Sequence, residues 1–273
     1  MKKITVFLGA ATKMHTHAAV GRFLDELRSW NDVECESLVL SNFRLGTCRG
    51  CQLCFARGEE HCPMKDDRDL LIGKMMASDG VVFATPNYSF QLSALMKLFL
   101  DRLGFMFHRP RFFGKTFTSI TSQGIYGGKK IERYLNFVGM GLGFNTVKGA
   151  YFTAFEPMAE SEQRVVDETL AQQSLEFHKT LMKPSFPAPS LFMLMAFRMP
   201  RTSMKLELDE RSFDYRYYRD KGWLESEYFY PVRLGPVKKL MGKVFDSIQA
   251  KRTGKILRTK PRSDSEMKME VQS

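Results

Sequence analysis

The chain predicts an α/β protein built on a doubly wound, five-stranded parallel sheet, followed by a mostly helical C-terminal extension. Three observations carry this expectation. Short apolar runs rich in β-branched residues alternate with segments of helical periodicity through the first two thirds of the 273 residues. Some of these runs are apolar at nearly every position, as strands buried on both faces must be. Finally, a hydrophobic content of 44% is enough for one sizeable core and an appendage.

Taken in order, Ile4 to Leu8 reads as a first strand opening into a loop of small residues. Thr16 to Trp30 then carries Val20, Phe23, Leu24 and Leu27 at helical spacing. Val33 to Leu40 is a second strand, in which Cys35 fits a small buried hydrophobe, and a cysteine-rich loop follows it. Asp66 or Asp67 can cap a helix from Arg68 to Ala77. Gly80 to Thr85 is a continuously apolar third strand, and Leu92 to Phe105 an amphipathic helix. Thr116 to Thr121 supplies the fourth strand, Gly128 to Val138 a helix, Thr146 to Phe152 the fifth strand, and Glu160 to Leu181 a long closing helix. Interleaving of this kind gives parallel strands, because each strand must return along the same direction after its helix.

In such sheets, ligands sit outside the carboxyl ends of the strands where the winding reverses. The loops Gly9 to His17, Pro86 to Leu92 and Ser122 to Gly127 are therefore the candidates. The first, GAATKMHTH, combines small residues, hydroxyls, a lysine and a helix start, which together form a cradle for a phosphate. It has neither the G-x-G-x-x-G dinucleotide fingerprint nor the Walker lysine loop, so a dinucleotide-type NAD fold or an ATPase is poorly supported.

Four of the five cysteines, Cys48, Cys51, Cys54 and Cys62, fall in one loop (48–62) with spacing C-x2-C-x2-C-x7-C. Crowded thiolates of this kind favour a 4Fe-4S cluster over zinc, whose ribbons separate two C-x2-C pairs more widely. Zinc and a purely structural loop are the other readings. His61, beside Cys62, reads as a loop residue, since four cysteines already complete a set. No signal peptide or run of transmembrane length is visible, so a cytoplasmic location is expected, where clustered thiols serve metal or redox chemistry instead of crosslinks.

Beyond the third strand the sequence runs Pro86, Asn87, Tyr88, and the next helix carries Lys97 followed by Asp101 and Arg102. This pattern resembles the flavodoxin-like NADPH-dependent FMN reductases. Together with the cysteine loop and its trailing Asp66 and Asp67, it looks like the iron-sulfur flavoprotein branch of that family. The resemblance spans about residues 1–180.

It implies FMN, with Thr12, Lys13, Thr16 and His17 at the phosphate. Pro86, Asn87, Tyr88 and Ser89 would lie along the ribityl chain and ring, and Ser122, Gln123 and Gly124 at the ring edge. Where family members commonly read Gly-Ser-x-Arg, this chain has Gly9-Ala10-Ala11-Thr12-Lys13, so a lysine point charge and His17 stand in for an arginine fork. The resemblance also implies a homo-oligomer and an oxidoreductase taking electrons from NAD(P)H. The electrons would pass to a quinone, an iron-sulfur cluster or another small-molecule or protein acceptor. A non-enzymatic flavin and iron-sulfur electron carrier is the alternative, and a zinc-bound scaffold a third. On simple structural grounds Tyr88 could only pack, His15 and His17 could only begin a helix, and Lys97, Asp101 and Arg102 could form a surface ion pair and assembly contact.

The organisation expected is a flavodoxin-like domain over residues 1–182, a helical basic and aromatic extension over 183–258, and a polar tail over 259–273. Charge divides unevenly. The overall +11 is concentrated in residues 183–273, where 19 Lys and Arg face 11 Asp and Glu. That extension reads first as a cap over the flavin or a partner subunit. A peripheral membrane contact through 190–258 follows from its basic amphipathic helix, Gly235 to Lys251. Nucleic acid is not an expected partner, because no recognised module accompanies the interleaved Arg and Tyr.

Overall fold

The computed structural model describes residues 1–155, 157–183 and 185–259. The expected polar tail, from residue 260 on, lies outside the described residues. Two compact units emerge, residues 1–51 with 62–185, and residues 52–61 with the chain from 186.

The first unit is the wound sheet. Its strands and helices run β1 (Lys2–Leu8), α1 (His15–Arg28) and β2 (Val33–Val39), then, after the short helix α2 (Leu53–Ala56) of the second unit, α3 (Arg68–Ala77), β3 (Gly80–Tyr88) and β4 (Gln91–Leu92). They continue with α4 (Ala94–Arg102), β5 (Thr116–Gln123), α5 (Gly128–Leu142), β6 (Asn145–Thr146), β7 (Ala150–Thr153) and α6 (Glu160–Leu181). The order is β2-β1-β3-β5-β6, with β7 also paired to β5 and all of these pairings parallel. The expected fifth strand is thus present in two short pieces. Gly149, just before the second piece, sits where a Cβ would meet the Ser119 backbone oxygen at 2.7 Å, so the edge hugs β5 too closely for a side chain there.

Alternation along each strand sorts the core into two layers. Ile4, Val6 and Leu8 of β1, Val82 and Ala84 of β3 and Ile120 of β5 pack with Val20, Phe23 and Leu27 of α1 and Leu170 and Phe177 of α6. The opposite face is aromatic. Phe7 stacks on Phe99 of α4 at 5.2 Å and meets Phe83 edge-on at 5.7 Å, and Phe83 meets Phe117 at 5.0 Å. Gly139 of α5 lets that helix rest on the Phe117 ring, which a Cβ would strike at 2.4 Å. Burial of the Cys35 thiol pushes its pKa up, as suits a packing residue.

The second unit joins α2 to α7 (Leu191–Glu207), α8 (Phe213–Asp220) and α9 (Pro236–Thr259). Helices α7 and α9 lie side by side in parallel, since their bonded pairs advance together: Arg198 and Thr202 with Asp246, Ser203 with Gln249, and Glu207 with Thr253. Asp246 is the hub. It binds Arg198, Arg201 and the Thr202 hydroxyl, and the Arg201 guanidinium also lies 5.4 Å from the Phe197 ring centre. Around them Phe197, Trp223, Tyr228 and Phe229 form an aromatic cluster of edge-on and tilted contacts. Because the Asp246 side chain keeps 25% exposure, Asp246→Ala is expected to cost about 2 kcal/mol, below the range for a fully buried pair. Urea unfolding followed by Trp fluorescence would register the loss.

Candidate functional site

Three loops meet at the carboxyl end of the first unit's sheet. The first begins at Gly9, whose carbonyl accepts from Ser93 Oγ at 2.6 Å. A Cβ at Gly9 would lie 2.7 Å from that oxygen and 2.8 Å from Met96 Cβ, so only glycine lets the loop sit against the start of α4. The loop ends at Met14, which provides no side-chain cap to α1. First-turn N–H groups of a helix without a cap are left for water or a ligand, and the helix dipole makes an anion the favoured one. Thr16 Oγ1 and Ser122 Oγ, 2.7 Å apart and buried, tie the first loop to the third.

The second loop is a hairpin that sequence reading leaves as a plain loop. Tyr88 and Gln91 pair across β3 and β4, with Ser89 and Phe90 at φ of 50° and 62°. Both central residues in the left-handed region make the turn type that joins twisted strands tightly, yet neither is glycine. Packing compensates this strain: the Phe90 ring stacks on Tyr126 at 4.8 Å, and Asn87 Nδ2 donates to the Tyr126 carbonyl at 2.8 Å. The third loop is held by Gln123, whose Oε1 accepts from the Gly128 N–H at 2.6 Å and whose Nε2 donates to Thr153 Oγ1 at 3.1 Å.

Between these loops lies a cavity of about 180 Å³. Eight of the eleven residues expected at a flavin line it: Thr12, Thr16, Pro86, Asn87, Tyr88, Ser122, Gln123 and Gly124. Lys13 and Ser89 are exposed and outside the lining, and His17 is turned aside, its Nε2 2.9 Å from the Ala10 carbonyl. Ala10, Met14, His15 and Ala154 complete the wall, contributed by residue types with no motif to announce them. Asn87, one of these lining residues, has a buried Oδ1 with no hydrogen-bond partner among the described residues. Tyr88, 58% exposed, stands at the mouth. An anion seat at an uncapped helix, a buried acceptor for a hydroxyl and an aromatic rim fit the phosphate, ribityl chain and ring of FMN in turn.

The cysteine loop divides between the units. In the first, Cys48 and Cys51 are exposed in a stretch without regular structure, and Cys62 is half-buried. Arg102 Nη1 donates to Cys62 Sγ at 3.4 Å. Burial alone would raise the Cys62 thiol, but the bond from Arg102, the Met64 backbone and the charges of Arg102 and Arg68 outweigh it and hold the thiol below its ordinary range. In the second unit, Cys54 is half-buried in α2, and His61 ends a short 3-10 helix, Glu59–His61, and pairs with Glu60 at 3.3 Å. Among the described residues, no group of three or more His, Cys, Asp or Glu side chains is arranged to hold a metal ion. A cluster on these cysteines would require their thiols to be drawn together.

Arg102 departs from the expected surface ion pair. Lys97 and Asp101 do pair on the exposed face of α4, whereas Arg102 is buried and turned to the end of the cysteine loop. There its Nη2 reaches Asp66 Oδ1 at 3.1 Å, and Asp66 Oδ2 accepts from the Gly46 N–H at 2.8 Å. Asp66 Oδ1 also takes the Arg68 N–H at 3.2 Å, so the start of α3 is capped by Asp66, not by the adjacent Asp67.

Residues 2–156 match the family described as NADPH-dependent FMN reductase. The chain is 33% identical over 154 residues to an iron-sulfur flavoprotein of Archaeoglobus fulgidus, covering 52% of this chain and 65% of that one. To an iron-sulfur flavoprotein of Methanosarcina thermophila it is 31% identical over 101 residues, covering 37% and 51%. Among solved structures, an azoreductase from Bacillus anthracis superposes with a TM-score of 0.52 at 12% identity, over 66% of this chain and 100% of that one, a likeness of fold alone. The chain spans less than two thirds of the length of these iron-sulfur flavoproteins.

Proposed function

The chain belongs to the NADPH-dependent FMN reductase family, and from that premise we propose that it is an FMN-dependent oxidoreductase. Its donor would be a reduced nicotinamide dinucleotide and its acceptor a quinone, an iron-sulfur centre or another electron carrier. The observation that carries the reading is that eight of the eleven residues expected at a flavin line one cavity beside the uncapped N-terminus of α1.

Bound there, FMN would supply a ring that takes two electrons as hydride and can release them singly. The chain's own residues bind and orient. First-turn amides of α1 and the Thr12 hydroxyl would receive the phosphate, with the Lys13 ammonium adding longer-range charge. Asn87 Oδ1 would accept from a ribityl hydroxyl, while its Nδ2 stays bonded to Tyr126. Backbone donors of the Ser122 to Gly124 stretch would face the ring edge and stabilise negative charge developing on reduction. Tyr88 at the mouth would cover the ring and limit water. Oligomerisation, as the family resemblance implies, would bring a second copy to this rim.

The cysteine loop supports a narrower proposal, a 4Fe-4S cluster on Cys48, Cys51, Cys54 and Cys62, favoured by their spacing and by the names of the relatives. It requires the loop to gather its thiols. One anaerobic preparation tests both parts. Mixing with NADH or NADPH should bleach the flavin absorbance within the mixing time of a manual assay. Reduction only by a ferredoxin-like protein would favour the electron-carrier alternative and sink the enzyme reading. Iron and acid-labile sulfide in the same sample should accompany the cysteines, and their absence, or zinc in their place, would remove the cluster.

A further inference from the structure

Within the second unit, helix α9 packs one side against α7, and the described residues of that unit leave the other side uncovered. Gly242 and Thr253 are buried, and Asp246 and Gln249 bond to α7, which fixes the inward face. At 100° per residue, Val237, Leu240, Val244 and Ile248 fall within one quadrant on the opposite side. Their exposures of 68%, 63%, 38% and 41% confirm that they point outward. Lys251, Lys255 and Arg258 continue the same line toward the C-terminal end, and Lys243 and Arg252 flank it. The helix carries seven cations and a single carboxylate, Asp246, which is occupied by Arg198 and Arg201. Of the seven, Lys239 alone has an ion-pair partner among the described residues, Glu227 at 3.9 Å.

We infer that α9 docks on an anionic lipid surface, seating its aliphatic stripe at the acyl boundary and its cations against phosphate headgroups. Both halves of the outward face are used by this occupant and by no simpler one. A second copy of α9 would bring seven cations against seven, and a nucleic-acid backbone offers nothing to four exposed aliphatic side chains. No helix among the described residues is long and apolar enough to cross a membrane, so the contact is in the plane of the surface. Such binding gains from each lysine near the headgroups and weakens with salt. The inference is independent of the flavin reading and describes where the protein works.

Co-sedimentation of the full chain with phosphatidylcholine vesicles, with and without phosphatidylglycerol, tests it. Binding is expected with phosphatidylglycerol alone, lost in high salt, and about tenfold weaker in Leu240→Glu/Val244→Glu. These side chains are exposed, so the variant should fold, and circular dichroism would verify that. A Lys251→Gln/Lys255→Gln/Arg258→Gln variant should lose the anionic preference while keeping the helix. Equal partition onto both vesicle types, no partition, or partition unchanged by the glutamates would overturn the inference. So would gel filtration showing that the glutamates split a self-associated species, or retention of a short DNA duplex that the glutamates leave untouched.

Discussion

A Thr12→Glu variant is expected to bind FMN about 100-fold more weakly than the unaltered chain and to melt no earlier. Thr12 lines the cavity and stands two residues before Met14, the N-cap position that leaves α1 without a side-chain cap, where the phosphate is proposed to sit. A carboxylate about 4 Å from one phosphate charge meets about 4 kcal/mol of repulsion at an effective dielectric of 20. Thr12 is exposed, so solvent screening reduces this to about 2.7 kcal/mol, which corresponds to the stated factor. The same carboxylate lies near the positive end of a helix dipole and should stabilise the flavin-free protein by about 0.5 kcal/mol. The two effects have opposite signs, which separates a lost ligand from a damaged fold. Flavin fluorescence quenching on titration, run beside thermal denaturation of the flavin-free chain, reads both. Unchanged affinity would move the phosphate away from this loop and take the flavin assignment with it.

The parts of this arrangement that could be read in the sequence are those written locally. Gly80 to Thr85 is apolar throughout because its strand is sandwiched between helices, and α3 and α6 keep the bounds their periodicity announces. The cavity was legible to the extent that strand ends carry it, since Thr12 follows β1 while Pro86 and Ser122 lie at the carboxyl ends of β3 and β5, as the winding rule requires. What could not be read is long-range. The Phe90 hairpin breaks the local preference for glycine at its turn and is held by a ring from another loop, so no window of sequence contains its cause. His17 could not be excluded from the phosphate by type, since only the fold brings the Ala10 carbonyl to its ring. Arg102 follows Asp101 in a helix that looks solvated on one face, but the 40 residues separating it from Cys62 conceal the contact that gives it a role.

That contact yields the second large effect. Asp66→Ala should destabilise the first unit by about 3–5 kcal/mol, because it strands the Arg102 guanidinium where the two side chains are only 3% and 4% exposed. It also leaves the Gly46 and Arg68 amides without their acceptor. Burial alone would raise the Asp66 carboxyl, but the Arg102 bond and these two amides outweigh it and hold its pKa below the usual carboxylate range. The sign of the pH dependence follows. With the folded value depressed, the unfolded chain binds the proton more readily, so the contribution is complete above the ordinary carboxyl pKa of about 3.9 and drains away as pH falls through the folded value. Stability of the unaltered chain should therefore decline in acid more steeply than that of Asp66→Ala, and the two curves should converge there. Arg102→Met should destabilise comparably by stranding the carboxylate, and should also slow alkylation of Cys62 by returning its thiol toward the ordinary range. The double change Asp66→Leu/Arg102→Met should recover the part of the loss that comes from the stranded guanidinium, while the part that comes from the Gly46 and Arg68 amides remains. If each single variant instead costs as little as an exposed ion pair, under about 1 kcal/mol, the clamp between α4 and the cysteine loop is not buried in solution.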